Sequence, residues 1–440
     1  MKTVLVMSTA LDKSIEHTQW GQPLGLAYIA ACIRDISDVA IIDCEVDEQY
    51  SKTLMDEINT DDDLIVGFSA NTYTYPEALR LAKMVKEHNP NAHINFGGYH
   101  ATPLADVILK NREYVDSIIR GDGEIPFRDL VNALLNGTDL SKVGSLTYRK
   151  GMRIVSNPDA PLPDLDSLPY PARDLLPMEK CFSHFKNSFF YKIHKMSRMV
   201  YVNANRGCPN DCIFCSIFNK KWRTRDPQKI VDEFKYVVEV YNADSIYLVG
   251  DNLNLDSKWF LTLCDEILTQ KLDIRWVAVG ANAQDINYRL INKMAKSGCV
   301  SISYGFESGS QKMLDSMNKN YSAKKFKTTV NITNNMNMHI GASFILGAPG
   351  ENEATLNKTL KFIRKSDFER VSSSSLVPLP GSKVYYKMCS ILPELKDIDM
   401  FSLEEIKRKY VDIFCDVSYK KIEEVKNEIR YLSNLSLDLY

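Results

Sequence analysis

The chain has 440 residues, 45% of them apolar and 25% charged, which describes an ordinary globular protein with material for a real core. Its net charge of −2, from 54 basic and 56 acidic residues, leaves no polybasic footprint for nucleic acid or an anionic membrane. The longest apolar run, Leu24–Ile33, is too short to span a bilayer, and no secretory signal opens the chain. Its 10 cysteines lie outside any small secreted scaffold and so point to a reducing cytoplasm.

Residues 1–135 alternate short β-branched runs with helical periodicity, predicting strands at 3–7, 39–44, 64–68, 93–96 and 117–119. Helices are predicted at 26–34, 77–86 and 126–135, so the stretch reads as a doubly wound parallel sheet of Rossmann-like type. Ligands of such sheets sit outside the carboxyl ends of the strands. That edge carries Ser69-Ala-Asn-Thr72, Gly97-Gly98-Tyr99-His100 and Gly121-Asp122-Gly123-Glu124. Glycines there admit positive φ and close approach to a flat or anionic ligand, and they serve equally as plain turns. Pro158, Pro161, Pro163, Pro169, Pro171 and Pro177 then exclude regular helix and sheet, which makes 136–195 a stiff connector.

From residue 196 the alternation resumes, with strands predicted at 200–203, 245–249, 275–280, 301–305, 342–346 and 371–377. Strand–helix units of this number fit a partial (β/α)6 barrel over 196–390, whose chemistry belongs on the loops after its strands. Residues 391–440 read as a small helical cap, with helices at 403–414 and 422–432.

The loop after the first of these strands holds Cys208-Pro-Asn-Asp-Cys212-Ile-Phe214-Cys215. Three thiolates in that spacing can wrap one side of a [4Fe–4S] cluster, which needs four ligands and so keeps one iron open. The same spacing also falls on one helix face, where cysteine acts as a small hydrophobe. Gly207, Pro209, Asn210 and Asp211 argue for a loop instead. Structural zinc would want a fourth Cys or His nearby. His194 lies on the wrong side of the strand and Cys264 far downstream.

This motif resembles the signature of the radical S-adenosylmethionine (radical SAM) superfamily. The resemblance implies SAM chelating the open iron and cleaved by the reduced cluster to a 5′-deoxyadenosyl radical, with Phe214 packed near the adenine. Gly250, Asp251 and Asn252 occupy the place of the family's Gly-Gly-Glu motif, as a loose match. Tyr304-Gly-Phe-Glu307-Ser308 is a closer match to the fourth-strand motif, and implies Glu307 bonding to the SAM ammonium or ribose. The segments around Ser343, from Phe344 to Glu351 and after Leu376 resemble the fifth- and sixth-strand SAM contacts. Gln22-Pro-Leu-Gly-Leu-Ala-Tyr and the glycine turns of 1–135 resemble the cobalamin-binding domain fused to many radical SAM enzymes. Ser69, Gly97, Gly98, Tyr99, His100, Gly121, Gly123 and Glu124 would then border the corrin and its nucleotide tail. The Asp-x-His-x-x-Gly cobalt-ligand motif of cobalamin mutases is absent. The histidine of that loop, His17, stands with Ile15 and Trp20 where Asp and Gly belong.

The resemblance implies a cytoplasmic cobalamin-dependent radical SAM enzyme that methylates a carbon of a small-molecule or peptide biosynthetic intermediate. Flavodoxin or ferredoxin would supply electrons, docked on Lys220-Lys-Trp-Arg-Thr-Arg225, a run that reads equally as a solvated loop. The basic residues from Lys319 to Lys327 also read as solvated, although Lys319 matches a lysine recurrent in the family. One rival is a cobalamin-assisted cyclisation or rearrangement without methyl transfer. A methylthiotransferase needs a second cluster, for which 1–135 offers only Cys32 and Cys44. A zinc-bound interaction module without turnover is the rival from another class.

Overall fold

In the computed structural model, which describes residues 1–11, 21–186, 188–396 and 402–437, the chain forms two compact units. The first takes in Met1–Ser188 with two short later segments, and the second takes in most of the remainder. His17, Ile15 and Trp20 lie outside the described residues.

The first unit is built on β1 (Lys2–Met7), β2 (Asp38–Asp43), β3 (Leu64–Ser69), β4 (His93–Gly97) and β5 (Ser117–Ile119), paired in parallel in the order β2-β1-β3-β4-β5. Val4, Leu5, Val6, Val66 and Ile94 are wholly buried, as expected of strands covered on both faces. Helices Leu24–Ile33 and Glu124–Leu135 cover β1 with Leu26, Ala30, Phe127 and Leu130. The strand order reverses beside β1, so the crevice for a ligand opens at the carboxyl ends of β1 and β3.

Residues 136–157, expected within the connector, instead form β6 (Leu146–Lys150) and β7 (Arg153–Ser156), an antiparallel hairpin that extends the same sheet from β5. Gly151, at φ +60°, supplies the tight turn. Beyond it, 157–177 holds only two isolated turns of 3₁₀ helix, in keeping with its prolines.

The second unit is a sheet in the order β14-β13-β12-β11-β10-β8-β9. Its strands are β8 (Met199–Arg206), β9 (Arg223–Thr224), β10 (Ser245–Gly250), β11 (Arg275–Ala281), β12 (Cys299–Glu307), β13 (His339–Leu346) and β14 (Arg370–Ser375). All pairs are parallel except β8 with the short β9. β8 and β14 share no ladder, which leaves the barrel partial. Along β13, Ile340, Ala342, Phe344 and Leu346 are buried against helices, while Gly341, Ser343 and Ile345 are half-buried on the inner face. Phe306, Phe326, Phe344, Phe362 and Phe368 pack as one aromatic cluster behind β12 and β13. The helix Tyr419–Leu437 lies on β14, where Ser433 Oγ accepts from Val371 N at 3.1 Å. It blunts the edge strand.

Past β13 the chain turns through Gly347 and Gly350 to Glu351, which is 1% exposed. Gly347 N donates to its Oε2 at 3.2 Å, and Thr355 Oγ1 donates to Oε1. Burial pushes this carboxyl up from 4.5 to about 7. The folded unit therefore holds a proton that the unfolded chain loses near 4.5, so stability falls as pH rises from there to about 7 and levels above it. Glu351→Gln is expected to remove that slope and raise the melting temperature at pH 8. Equal pH dependence in thermal melts of the two proteins would refute this reading.

Candidate functional site

Between β8 and β9 the cysteine loop has no helix at all, so its thiols do not form a helix face. It is held instead from outside. Gly207 sits at φ +84°, and a Cβ there would meet Lys221 O at 2.2 Å. Cys208 N donates to Asn219 O at 3.1 Å, and Gly207 N donates to Asp251 Oδ2 at 2.6 Å. Farther along, Ile213 N donates to Met317 O (3.0 Å), and Val384 N donates to Ile213 O (3.1 Å). Lys220 Nζ caps Asn210 O at 2.9 Å, so part of the basic run braces the loop rather than only facing solvent.

Cys208 and Cys212 are each 8% exposed, and Cys215 is half-buried. Burial pushes the Cys212 thiol up to about 11, against the pull of Lys319, and raises that of Cys215 as well. Thiols so placed stay protonated until a metal displaces the proton. Gly250 ends β10, and Asp251 and Asn252 follow it beside them. Asn252 Nδ2 lies 3.7 Å from Cys208 Sγ, and Trp222 Nε1 donates to Asn252 O at 3.0 Å. The Oδ1 atoms of Asn205 and Asn252 are buried without a hydrogen bond. Buried acceptors of that kind call for a donor. Three thiols in one loop, near enough to feel one another's charge, and these two amides fit a cubane cluster with a polar ligand beside it.

Across the sheet, Glu307 ends β12 at φ +63°, a left-handed conformation that costs a non-glycine residue about 1 kcal/mol. A register shift against β13 between Gly305 and Glu307 accompanies it. Glu307 Oε1 accepts from Lys319 Nζ at 2.8 Å, with both side chains about nine-tenths buried. A Cβ on Gly305 would meet that oxygen at 2.5 Å, so glycine makes the room. Lys319 lies 4.5 Å over the Tyr321 ring and 6.0 Å over that of Phe214. Burial disfavours its charge, but Glu307 outweighs burial and holds the ammonium above its ordinary value. Lys319 is thus no solvated surface lysine. The pair joins the β12 end to the cysteine loop, where the Cys212 thiol feels both charges.

Ser343 stands beside Gly305 in register, half-buried, its Oγ donating to Tyr304 O at 3.3 Å. Ser308 and Leu376 turn inward. Ser308 Oγ pairs with Thr359 Oγ1 at 3.0 Å, and Leu376 is 2% exposed.

In the first unit the carboxyl-edge loops brace one another. Ala70 N donates to Gly97 O, His100 N to Ala70 O, and Gly121 N to Thr102 Oγ1 at 3.1 to 3.3 Å. Gly98, at φ +93°, would strike Ala70 O at 2.8 Å with any Cβ. Ser69, Gly97, Gly121 and Gly123 are half-buried at this edge, and Tyr99 is exposed. His100 and Glu124 are buried. The His100 ring stacks on Tyr75 at 4.0 Å, and burial lowers its pKa to about 3, which keeps it neutral. Nothing lies within 4 Å of a Cβ built on Gly25 or Gly121, so the backbone there is bare. A bare edge flanked by glycines fits a large flat ligand held by backbone and van der Waals contact.

The two folds and this thiol loop define an iron–sulfur radical enzyme coupled to a second cofactor domain. The radical SAM superfamily model matches residues 202–363, and the B12 binding domain model matches residues 16–131. An uncharacterized methyltransferase of Pyrococcus horikoshii is 30% identical over 392 residues, which is 88% of this chain and 82% of that protein. The anaerobic magnesium-protoporphyrin IX monomethyl ester cyclase of Rubrivivax gelatinosus is 27% identical over 83% of this chain and 66% of its own length. Among solved structures, the radical SAM methyltransferase TsrM of Kitasatospora setae superposes with a TM-score of 0.71 at 14% identity, covering 88% of this chain and 76% of that one. The chain belongs to the cobalamin-binding radical SAM family, and its cofactors are a [4Fe–4S] cluster, SAM and cobalamin. It is an enzyme, which removes the zinc-bound interaction module. Among the described residues no helix is long and apolar enough to cross a membrane.

Removing one partner of a buried ion pair strands the other charge, at a cost of about 3–5 kcal/mol. Lys319→Met is therefore expected to lower the melting temperature sharply, and Lys319→Met with Glu307→Gln to recover most of the loss. Losses that simply add in the double variant would refute the pairing.

Proposed function

We propose that the protein methylates a carbon centre of a small-molecule biosynthetic intermediate. The observation that carries this reading is the set of three thiols in one irregular loop, beside a buried Glu307–Lys319 pair, in a chain with a cobalamin-type domain. When bound, the cofactors supply a 5′-deoxyadenosyl radical from one SAM and a methyl group carried by cobalamin from another. We assign the cluster to Cys208, Cys212 and Cys215, within a radical SAM core over 196–390. Phe214, Gly250, Asp251, Asn252, Glu307 and Ser343 would border SAM. Ser69, Gly97, Gly98, Tyr99, Gly121 and Gly123 would border cobalamin in a domain that starts with 1–135 and whose sheet runs on through the β6–β7 hairpin, so the connector, expected over 136–195, would begin only after that hairpin.

The chain's own part is placement. Glu307 holds Lys319 through Oε1 and, as a carboxylate, has further acceptor capacity for an ammonium or ribose hydroxyl. Phe214, under the Lys319 ammonium, offers a ring face to a flat base. Flavodoxin or ferredoxin would be the reductant. The Pyrococcus methyltransferase supports methyl transfer, while the Rubrivivax cyclase supports a second reading, radical cyclisation assisted by cobalamin. In 1–135 the cysteines are Cys32 and Cys44, one short of the three that a second cluster would need, which speaks against a methylthiotransferase.

With methyl-deuterated SAM and the true substrate, product is expected to gain one labelled methyl. It should appear with one 5′-deoxyadenosine and one S-adenosylhomocysteine per turnover. Product formed with 5′-deoxyadenosine but without label would overturn methyl transfer in favour of cyclisation.

A further inference from the structure

The amino ends of the second unit's strands, opposite the cysteine loop, hold a cluster that the chemistry above does not use. His194 closes the helix Phe189–His194 just before β8, His339 opens β13, and Glu369 immediately precedes β14. β8 and β14 are far apart in the strand order. Yet His194 Nε2 lies 3.3 Å from Glu369 Oε1, and His339 Nδ1 lies 2.9 Å from the same oxygen. One donor atom from each of the three residues lies within 4.8 Å of the others. The two imidazole rings meet edge to face, 80° apart. Backbone bonds hold the set in place: Arg275 Nη1 donates to His194 O at 2.7 Å, and Glu369 N donates to Ile340 O at 3.1 Å.

The Glu369 side chain is 1% exposed, where an unneutralised carboxylate is costly. Both Glu369 oxygens and His194 Nε2 are buried without a hydrogen bond of good geometry. Donor atoms this close, brought from three separate elements, suit a common cation. On a tetrahedral zinc, with bonds of about 2.0–2.2 Å, donors stand about 3.3 Å apart. The two carboxylate contacts, 2.9 and 3.3 Å, lie at or somewhat below that spacing, and the three donors all fall within 4.8 Å. Two imidazoles with one carboxylate suit a first-row transition ion, whereas magnesium and calcium prefer all-oxygen sites.

We propose that His194, His339 and Glu369 bind a divalent first-row transition ion, Zn²⁺ in the first instance, which ties the first strand of the partial barrel to the last. Barrel chemistry belongs to the other end of the strands, so this ion stands apart from the proposed reaction. A bound ion takes one nitrogen lone pair from each histidine and a carboxylate oxygen from Glu369, and water completes the coordination.

The test uses the full-length chain with Cys208→Ala, Cys212→Ala and Cys215→Ala, stripped by a chelator and titrated with Zn²⁺ against a chromophoric competitor. About one equivalent should bind and raise the melting temperature. Adding His339→Gln should weaken binding by more than the roughly 10–100-fold that loss of a merely supporting group costs. A parallel arm measures zinc in the native holoenzyme, where iron and cobalt belong to the other cofactors, and in its His339→Gln and Glu369→Gln variants. Zinc present in the native protein and lost from folded variants supports the site. No uptake by the stripped chain, or equal zinc in all three holoenzymes, would overturn it.

Discussion

On the proposed assignment, three thiols reach one cluster from a stretch of backbone that has no secondary structure of its own. Everything that positions them is therefore borrowed. Asp251 from the β10 end takes the Gly207 amide, Met317 takes that of Ile213, and Ile213 in turn takes that of Val384. The φ of +84° at Gly207, with Lys221 O where a Cβ would sit, lets the chain leave β8 at that angle. A loop fixed at so many points pays its ordering entropy at folding rather than at catalysis.

Electrostatics follow from the same confinement. Burial opposes thiolates at Cys212 and Cys215, and only a positive partner can reverse that. Lys319 supplies one permanent charge nearby, and Glu307 keeps it affordable. The strained backbone of Glu307 shows how much of the local geometry serves that pair: a bulge, a glycine at 305 and a left-handed residue all converge on it.

Much of this was legible beforehand, for reasons that differ by residue. The parallel strands were readable because each is a short apolar run between helical repeats, and the cysteine motif because its spacing falls in turn-forming residues. The β6–β7 hairpin was hidden by its proline-rich neighbourhood, although Gly151-Met152 between two β-branched runs is a hairpin signal. Lys319 read as surface because a lysine beside further lysines usually is; only the tertiary position of β12 buries it. Asp251 and Asn252 were noticed as a weak ligand motif, yet their bonds run to the cysteine loop itself. His194, His339 and Glu369 are separated by whole strand–helix units, and no local pattern could unite them.

The central claim is that Cys208, Cys212 and Cys215 leave one iron of a [4Fe–4S] cluster open to SAM. The most direct test is electron–nuclear double resonance of the reduced, anaerobically reconstituted enzyme with SAM labelled by ¹⁵N at the amino group and ¹⁷O at the carboxylate. Hyperfine coupling of both labels to the cluster is the predicted result, lost when the three cysteines are replaced by alanine. A complete cluster in the native protein that shows no coupling to either label would contradict the account.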